Sequence, residues 1–194
     1  MVNSVRDNLG RSASLAALRA LKSGLGAQCE YQFRNATSIT LWMRPSEDDS
    51  DLVDDANVSA VGTSKSFTIP AQPGLSAQIA RRSLTSNVAT ITTRKAHGFA
   101  AGQLVRVRLR TADSVFDGPR EIATVPSTTT FTFAKTNANV ADAVAIGAVE
   151  AIMHPGDSIT FEESLYEVRG IRTDSLRSSY TLRTEQVQPI RLGV

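Results

Sequence analysis

Between Leu84 and Ile152 the chain divides into five short stretches rich in Thr, Val and Ala: Asn87 to Thr93, Gln103 to Leu109, Arg120 to Val125, Thr129 to Ala134 and Gly147 to Ile152. Each is bounded by turn formers, among them Gly98, Gly102, Asp117 with Gly118, Pro126 and Asn137 to Asn139. Residues that alternate between apolar and polar with a period of two bury one face only as strands. Short strands at this spacing predict a small β-barrel or sandwich and exclude a helical bundle or a coiled coil for this block.

The same reasoning extends outward. Ala27, Cys29, Tyr31 and Phe33 alternate with Gln28, Glu30 and Gln32, which predicts a half-buried strand from Ala27 to Phe33. Ile39 to Met43 reads as its hairpin partner across Arg34 to Ala36, and Ser66 to Ile69 as a further strand. Pro70 to Gly74 is rigid, extended punctuation where a domain boundary fits. Asp157 to Phe161, Leu165 to Arg172 and Ser179 to Leu182 continue as antiparallel strands, with turns at Glu162 to Ser164 and Thr173 to Ser175. At the other end, Val2 to Gly24 carries Val5, Leu9, Leu15, Leu18 and Leu21 at helical spacing. It predicts a helix that covers its own core or docks on a partner. The expected architecture is mainly β: an N-terminal helical segment over residues 1–24, a discontinuous barrel or sandwich core from residues 25–74 and 153–194, and an inserted β-barrel-like domain over 75–152.

With 194 residues, 41% of them hydrophobic and 21% charged, the chain is long enough to fold around one or two cores without staples. No stretch reaches the roughly 20 apolar residues of a bilayer span, and the N-terminus lacks the apolar core of a signal peptide, so no membrane partner and no classical secretion are expected. A single cysteine, Cys29, and two histidines, His97 and His154, leave few tools for catalysis or metal binding. Cys29 faces the apolar side of its strand and reads as a small core hydrophobe. His97, in Ala96-His-Gly-Phe, reads as a turn residue bonded to nearby backbone, and His154, before Pro155 and Gly156, as another. No phosphate-cradling loop, zinc-ligand pair, catalytic elbow or paired-carboxylate signature is present, so the expectation is a non-enzyme with no catalytic residue, cofactor or metal.

Charge is balanced in total, 21 basic against 19 acidic residues, and segregated along the chain. Glu47, Asp48, Asp49, Asp51, Asp54 and Asp55 form an acidic run without a base; it reads as a surface loop, with divalent-cation binding as the sharper alternative. From Gln72 to Thr111 there are seven bases and no acid. Arg106, Arg108 and Arg110 alternate with Val105, Val107 and Leu109, which places three guanidiniums on one strand face. Such a stripe is either a solvated outer face or a place for nucleic-acid phosphates, which it would meet without sequence preference. Together with Arg81 and Arg82 and the acidic run, it supplies the candidate subunit or DNA contacts.

Two segments carry a family resemblance. The block Asn87-Val-Ala-Thr-Ile-Thr-Thr, Ala96-His-Gly-Phe-Ala-Ala-Gly-Gln-Leu-Val-Arg-Val, Phe116-Asp-Gly and Val125-Pro-Ser-Thr-Thr-Thr-Phe-Thr-Phe resembles a β-module of tailed-bacteriophage virion proteins. That module is similar in pattern to the first catalytic-cysteine half-domain of ubiquitin-activating enzymes. Gln103 departs from it, since an acidic residue is usual there. Pro155-Gly-Asp-Ser-Ile-Thr-Phe-Glu-Glu-Ser-Leu-Tyr-Glu-Val-Arg-Gly-Ile and Ser179-Tyr-Thr-Leu-Arg look like the closing strands of phage head-tail joining or stopper proteins. The resemblance implies a structural virion protein of the neck. It would form a homo-oligomeric ring, six- or twelvefold, between portal or adaptor and tail or tail-terminator protein, with a part in viral genome packaging, and would help close or gate the DNA channel. Phage DNA would pass through without sequence specificity, and assembly would take place in the host bacterial cytoplasm. The alternative it implies is a tail or baseplate component whose surface β-module contacts carbohydrate.

Overall fold

The computed structural model describes residues 26–47, 64–110, 114–174 and 179–187. The predicted helix over Val2 to Gly24 lies outside them, as do Asp48, Asp49, Asp51, Asp54 and Asp55 of the acidic run. Thirteen strands and no helix make up the described residues: β1 (Ala27–Gln32), β2 (Ile39–Glu47), β3 (Ser64–Pro70), β4 (Ser76–Thr85), β5 (Val88–Thr93), β6 (Leu104–Leu109), β7 (Gly118–Glu121), β8 (Thr124–Ser127), β9 (Thr130–Ala134), β10 (Val140–Ala151), β11 (Ser158–Phe161), β12 (Ser164–Thr173) and β13 (Ser179–Gln186). The chain forms two compact units. The first takes in Met1–Tyr31, Thr40–Ala71 and His154–Val194, and the second Gln32–Ile39 and Gln72–Met153.

Strands β1, β11, β12, β13, β3 and β2, in that order, close into a barrel. Closure removes both sheet edges, and the alternating positions supply the interior. Cys29, Tyr31, Leu41, Met43, Phe67, Ile69, Ile159, Tyr166, Val168 and Leu182 are buried there. Phe67 meets Phe161 and Tyr166 edge to face at 5.7 and 5.6 Å between centroids, a geometry favoured by the ring quadrupoles. One carboxylate enters this interior. Asp157 accepts hydrogen bonds from the Tyr31 hydroxyl and the His154 backbone N–H, both at 2.8 Å. Gly156, at φ 90°, makes the tight turn that aims it inward. The Gly-Asp of the Pro155-Gly-Asp-Ser-Ile segment is therefore a corner of the barrel wall.

The second unit is a seven-stranded sheet in the order β7-β6-β10-β4-β5-β9-β8. Its two edge strands, β7 and β8, are consecutive in sequence and separated only by Ile122 and Ala123, so the sheet must curl until its two edges meet at that connection. Ala123 N–H donates to Thr132 O on one side, and Ile122 N–H to Gln103 O on the other. The single strand predicted from Arg120 to Val125 is thus two strands. Arg120 of β7 pairs with β6 and Thr124 of β8 with β9, and the buried Ile122 makes the corner. Inside the curl lie Ile79, Leu84, Ile91, Val105, Val107, Phe116, Phe131, Phe133 and Val149.

Two further expectations change. The ten residues of β4 form a central strand that alternation does not reveal. A bulge between Ile79 and Arg81 shifts the pattern by one residue and sends Arg81 and Ser83 outward. Strand β10 begins at Val140 and not at Gly147, with two irregularities in its pairing to β4. The larger segment of the second unit, Gln72–Met153, enters through β4 and leaves through β10, where Ser76 and Glu150 are paired neighbours.

Candidate interaction surface

The motif Ala96-His-Gly-Phe-Ala-Ala-Gly-Gln serves the unit's own interior. His97 is fully buried, stacked on Phe99 at 5.2 Å and edge-on to Phe131 at 5.5 Å. Its Nδ1 accepts the Phe99 N–H at 2.9 Å, and its carbonyl accepts the Gly74 N–H at 2.6 Å. Burial lowers its pKa from the ordinary 6.5, against the opposing pull of the Thr130 and Ser127 carbonyls. Neither carbonyl meets Nε2 in hydrogen-bond geometry. Gly98, at φ 68°, is needed because a Cβ there would stand 2.8 Å from Gly74 N.

Gln103 completes the clamp. Its Oε1 accepts the Ala100 N–H at 3.0 Å, and its Nε2 donates to the Gly74 carbonyl at 2.8 Å. An ionised acid could accept but not donate. The amide at this position therefore follows from the contact with Gly74, which is held by both its N–H and its C=O.

Cys29 is likewise occupied with packing: burial first, and then the charge of Glu162, push its thiol up to about 11, far from the thiolate a nucleophile needs. Among the described residues no group of three or more His, Cys, Asp or Glu could hold a metal ion, and no helix is long and apolar enough to cross a membrane.

The outward chemistry lies on the opposite side of the second unit's sheet. In β6, Val105 and Val107 are buried and Arg106 and Arg108 exposed; Arg110, also exposed, follows directly after the strand, so the alternation sets the three arginines on one face. Across the ladder Arg106 faces Glu150 and Arg108 faces Ala148 of β10, while Arg110 N–H donates to Ile146 O. Residues paired across strands share a face, so Ile146, Ala148 and Glu150 stand beside the arginine row. Ile146 and Val144 flank the buried Ala145 and are 50% and 68% exposed. The result is a surface of three arginines and two exposed aliphatics, with Glu150 at one end and the Arg81–Asp142 pair beside Val144 at the other.

The other candidate bases do different work. Arg81 grips the Asp142 carboxylate through Nε and Nη2, at 3.0 and 2.5 Å to Oδ2, and thereby holds that carboxyl below its usual range. Arg82 lies over the Phe116 ring at 5.7 Å and donates to the Ala141 carbonyl at 2.9 Å. It faces the side of Ile91, away from the arginine row. Glu47 is the last residue of β2. The row of Arg106, Arg108 and Arg110 is thus brought together, with Arg81 spent on a local ion pair and Arg82 on ring and backbone. Sequence reasoning passed over Val144 and Ile146, although the alternation Val140-Ala-Asp-Ala-Val-Ala-Ile was the available signal.

By unit, the charge separates further. The second unit carries ten basic and five acidic residues, the first eleven basic and fourteen acidic. Compared with known protein-family models and with curated proteins, the sequence matches none.

Proposed function

We propose that the chain is a structural subunit of a tailed-phage neck, assembling head to tail into a ring that joins portal to tail around the DNA channel. The observation that carries this reading is the division of charge within one subunit. A basic face with exposed aliphatics lies on one unit, and an excess of acid, including Glu47 to Asp55, belongs to the other. A ring needs one patch to meet a different patch, which suits opposite charges on separate surfaces. The placing in a phage neck rests on the sequence resemblance in the β-module and the closing strands. The residues that carry the resemblance are spent on packing and clamping, in keeping with assembly and not turnover as their purpose. Native mass spectrometry of the full chain tests the reading: a closed oligomer of one defined copy number supports it, and a monomer at all concentrations and salt levels overturns it.

A further inference from the structure

We infer that the Arg106, Arg108 and Arg110 face of the second unit is the docking surface for a second copy of this chain, whose Glu162–Glu163 hairpin tip it receives. The inference deepens the ring reading and rests on it for the existence of an assembly, though not for which surfaces meet. Arg106 and Arg108 make no ion pair among the described residues, and they stand one strand repeat apart, about 6.8 Å. On the same face Ile146 stands by Arg110 and Val144 by Arg81, both exposed where the neighbouring Ala145 is buried.

Arginine next to accessible aliphatic surface is the composition of a protein interface core, not of a phosphate track, which has no use for valine and isoleucine. No aromatic side chain lies on this row to stack a base.

The matching chemistry has one place among the acids whose side chains are described. Asp142 is held by Arg81, and Glu167 and Glu185 are both held by Arg169. Asp157 is buried, Asp117 accepts the Leu109 N–H, and Asp174 accepts from Ser179. Glu30 and Glu150 have further interactions of their own, and Glu121 stands alone on β7. Glu162 and Glu163 are consecutive, exposed at the tip between β11 and β12, and make no ion pair among the described residues. Two uncommitted carboxylates on the first unit thus complement two uncommitted guanidiniums on the second. Because donor and acceptor surfaces belong to different units, the contact is heterologous and can repeat from copy to copy.

A charge-swap experiment on the full chain decides it. Arg106→Glu with Arg108→Glu, and separately Glu162→Lys with Glu163→Lys, should each reduce the assembled species seen by native mass spectrometry at least tenfold. All four changes together should restore it, and Ile146→Asp should weaken it without rescue. Glu162→Asn with Glu163→Gly, which suits the turn's backbone, guards against misfolding of the lysine pair and should likewise lose assembly.

If wild type assembles and the reversals leave the masses unchanged, or the fourfold swap fails to restore them, this docking surface is wrong while the ring reading stands. A wild type that stays monomeric overturns both. A third arm measures binding of a short duplex DNA: if the arginine reversal abolishes that binding and leaves assembly intact, the face is a nucleic-acid contact and the inference falls.

Discussion

Acid should loosen the second unit through one residue. His97 is buried against Phe99 and Phe131, and its Nδ1 is committed as an acceptor to the Phe99 N–H. Protonation would bury a charge and turn that acceptor into a donor facing another donor. Because the folded-state pKa lies below the ordinary 6.5, the unfolded chain binds a proton that the native state refuses. Stability from this group is complete above 6.5 and declines as pH falls, by up to about 1.4 kcal/mol per pH unit until the folded-state value is reached.

Hydrogen exchange, corrected for intrinsic rates at each pH, reads this locally. Opening free energies of β5 and β9 should fall from pH 7 to pH 5 more steeply in wild type than in His97→Gln, which cannot titrate. Peptides from β12 and β13 serve as the internal comparison. Parallel pH curves for wild type and variant at β5 and β9 would refute the argument, since carboxylate titration acts on both proteins equally.

Gln103→Glu should destabilise by about 2 to 4 kcal/mol at neutral pH, because a buried carboxylate would face the Gly74 carbonyl; thermal unfolding should show the deficit narrowing toward pH 4, where a protonated acid donates again. Phe33→Ala should cost roughly 3 to 5 kcal/mol in denaturant titration, as its burial implies. Gln32→Ala should cost nearer 1 kcal/mol, since the Gln32 amide donates to the Phe33 and Ala36 carbonyls across the hairpin. Replacing Glu162 and Glu163, at φ 49° and 63°, by Asn and Gly should stabilise the barrel by about 1 to 2 kcal/mol through relief of left-handed strain, measured as a rise in Tm. Deleting Gln72 to Met153 behind a short Gly/Ser linker should leave a cooperatively unfolding barrel, because the strands by which that segment enters and leaves are paired at Ser76 and Glu150.

Much of this protein is written in period-two alternation. That pattern by itself determined that the chain is mainly β, that Tyr31, Phe33, Val105 and Val107 point inward, and that Arg106, Arg108 and Arg110 share an outward face, because a strand's faces follow from its covalent geometry. The helix predicted for the N-terminus and most of the acidic run fall outside the described residues. What only tertiary structure decided depends on partners distant in sequence. Strand β4 hides behind its bulge at Ala80, and the corner at Ile122 splits one apparent strand into two edges of a curled sheet. Arg81, Arg82 and the Arg106 row look alike in sequence, yet Asp142, some sixty residues from Arg81, occupies the first, and Phe116 lies beneath the second. Gln103 is explained only once Gly74, twenty-nine residues earlier, is brought against its amide. Local geometry sets which way a side chain points, and the folded sheet sets what it meets there.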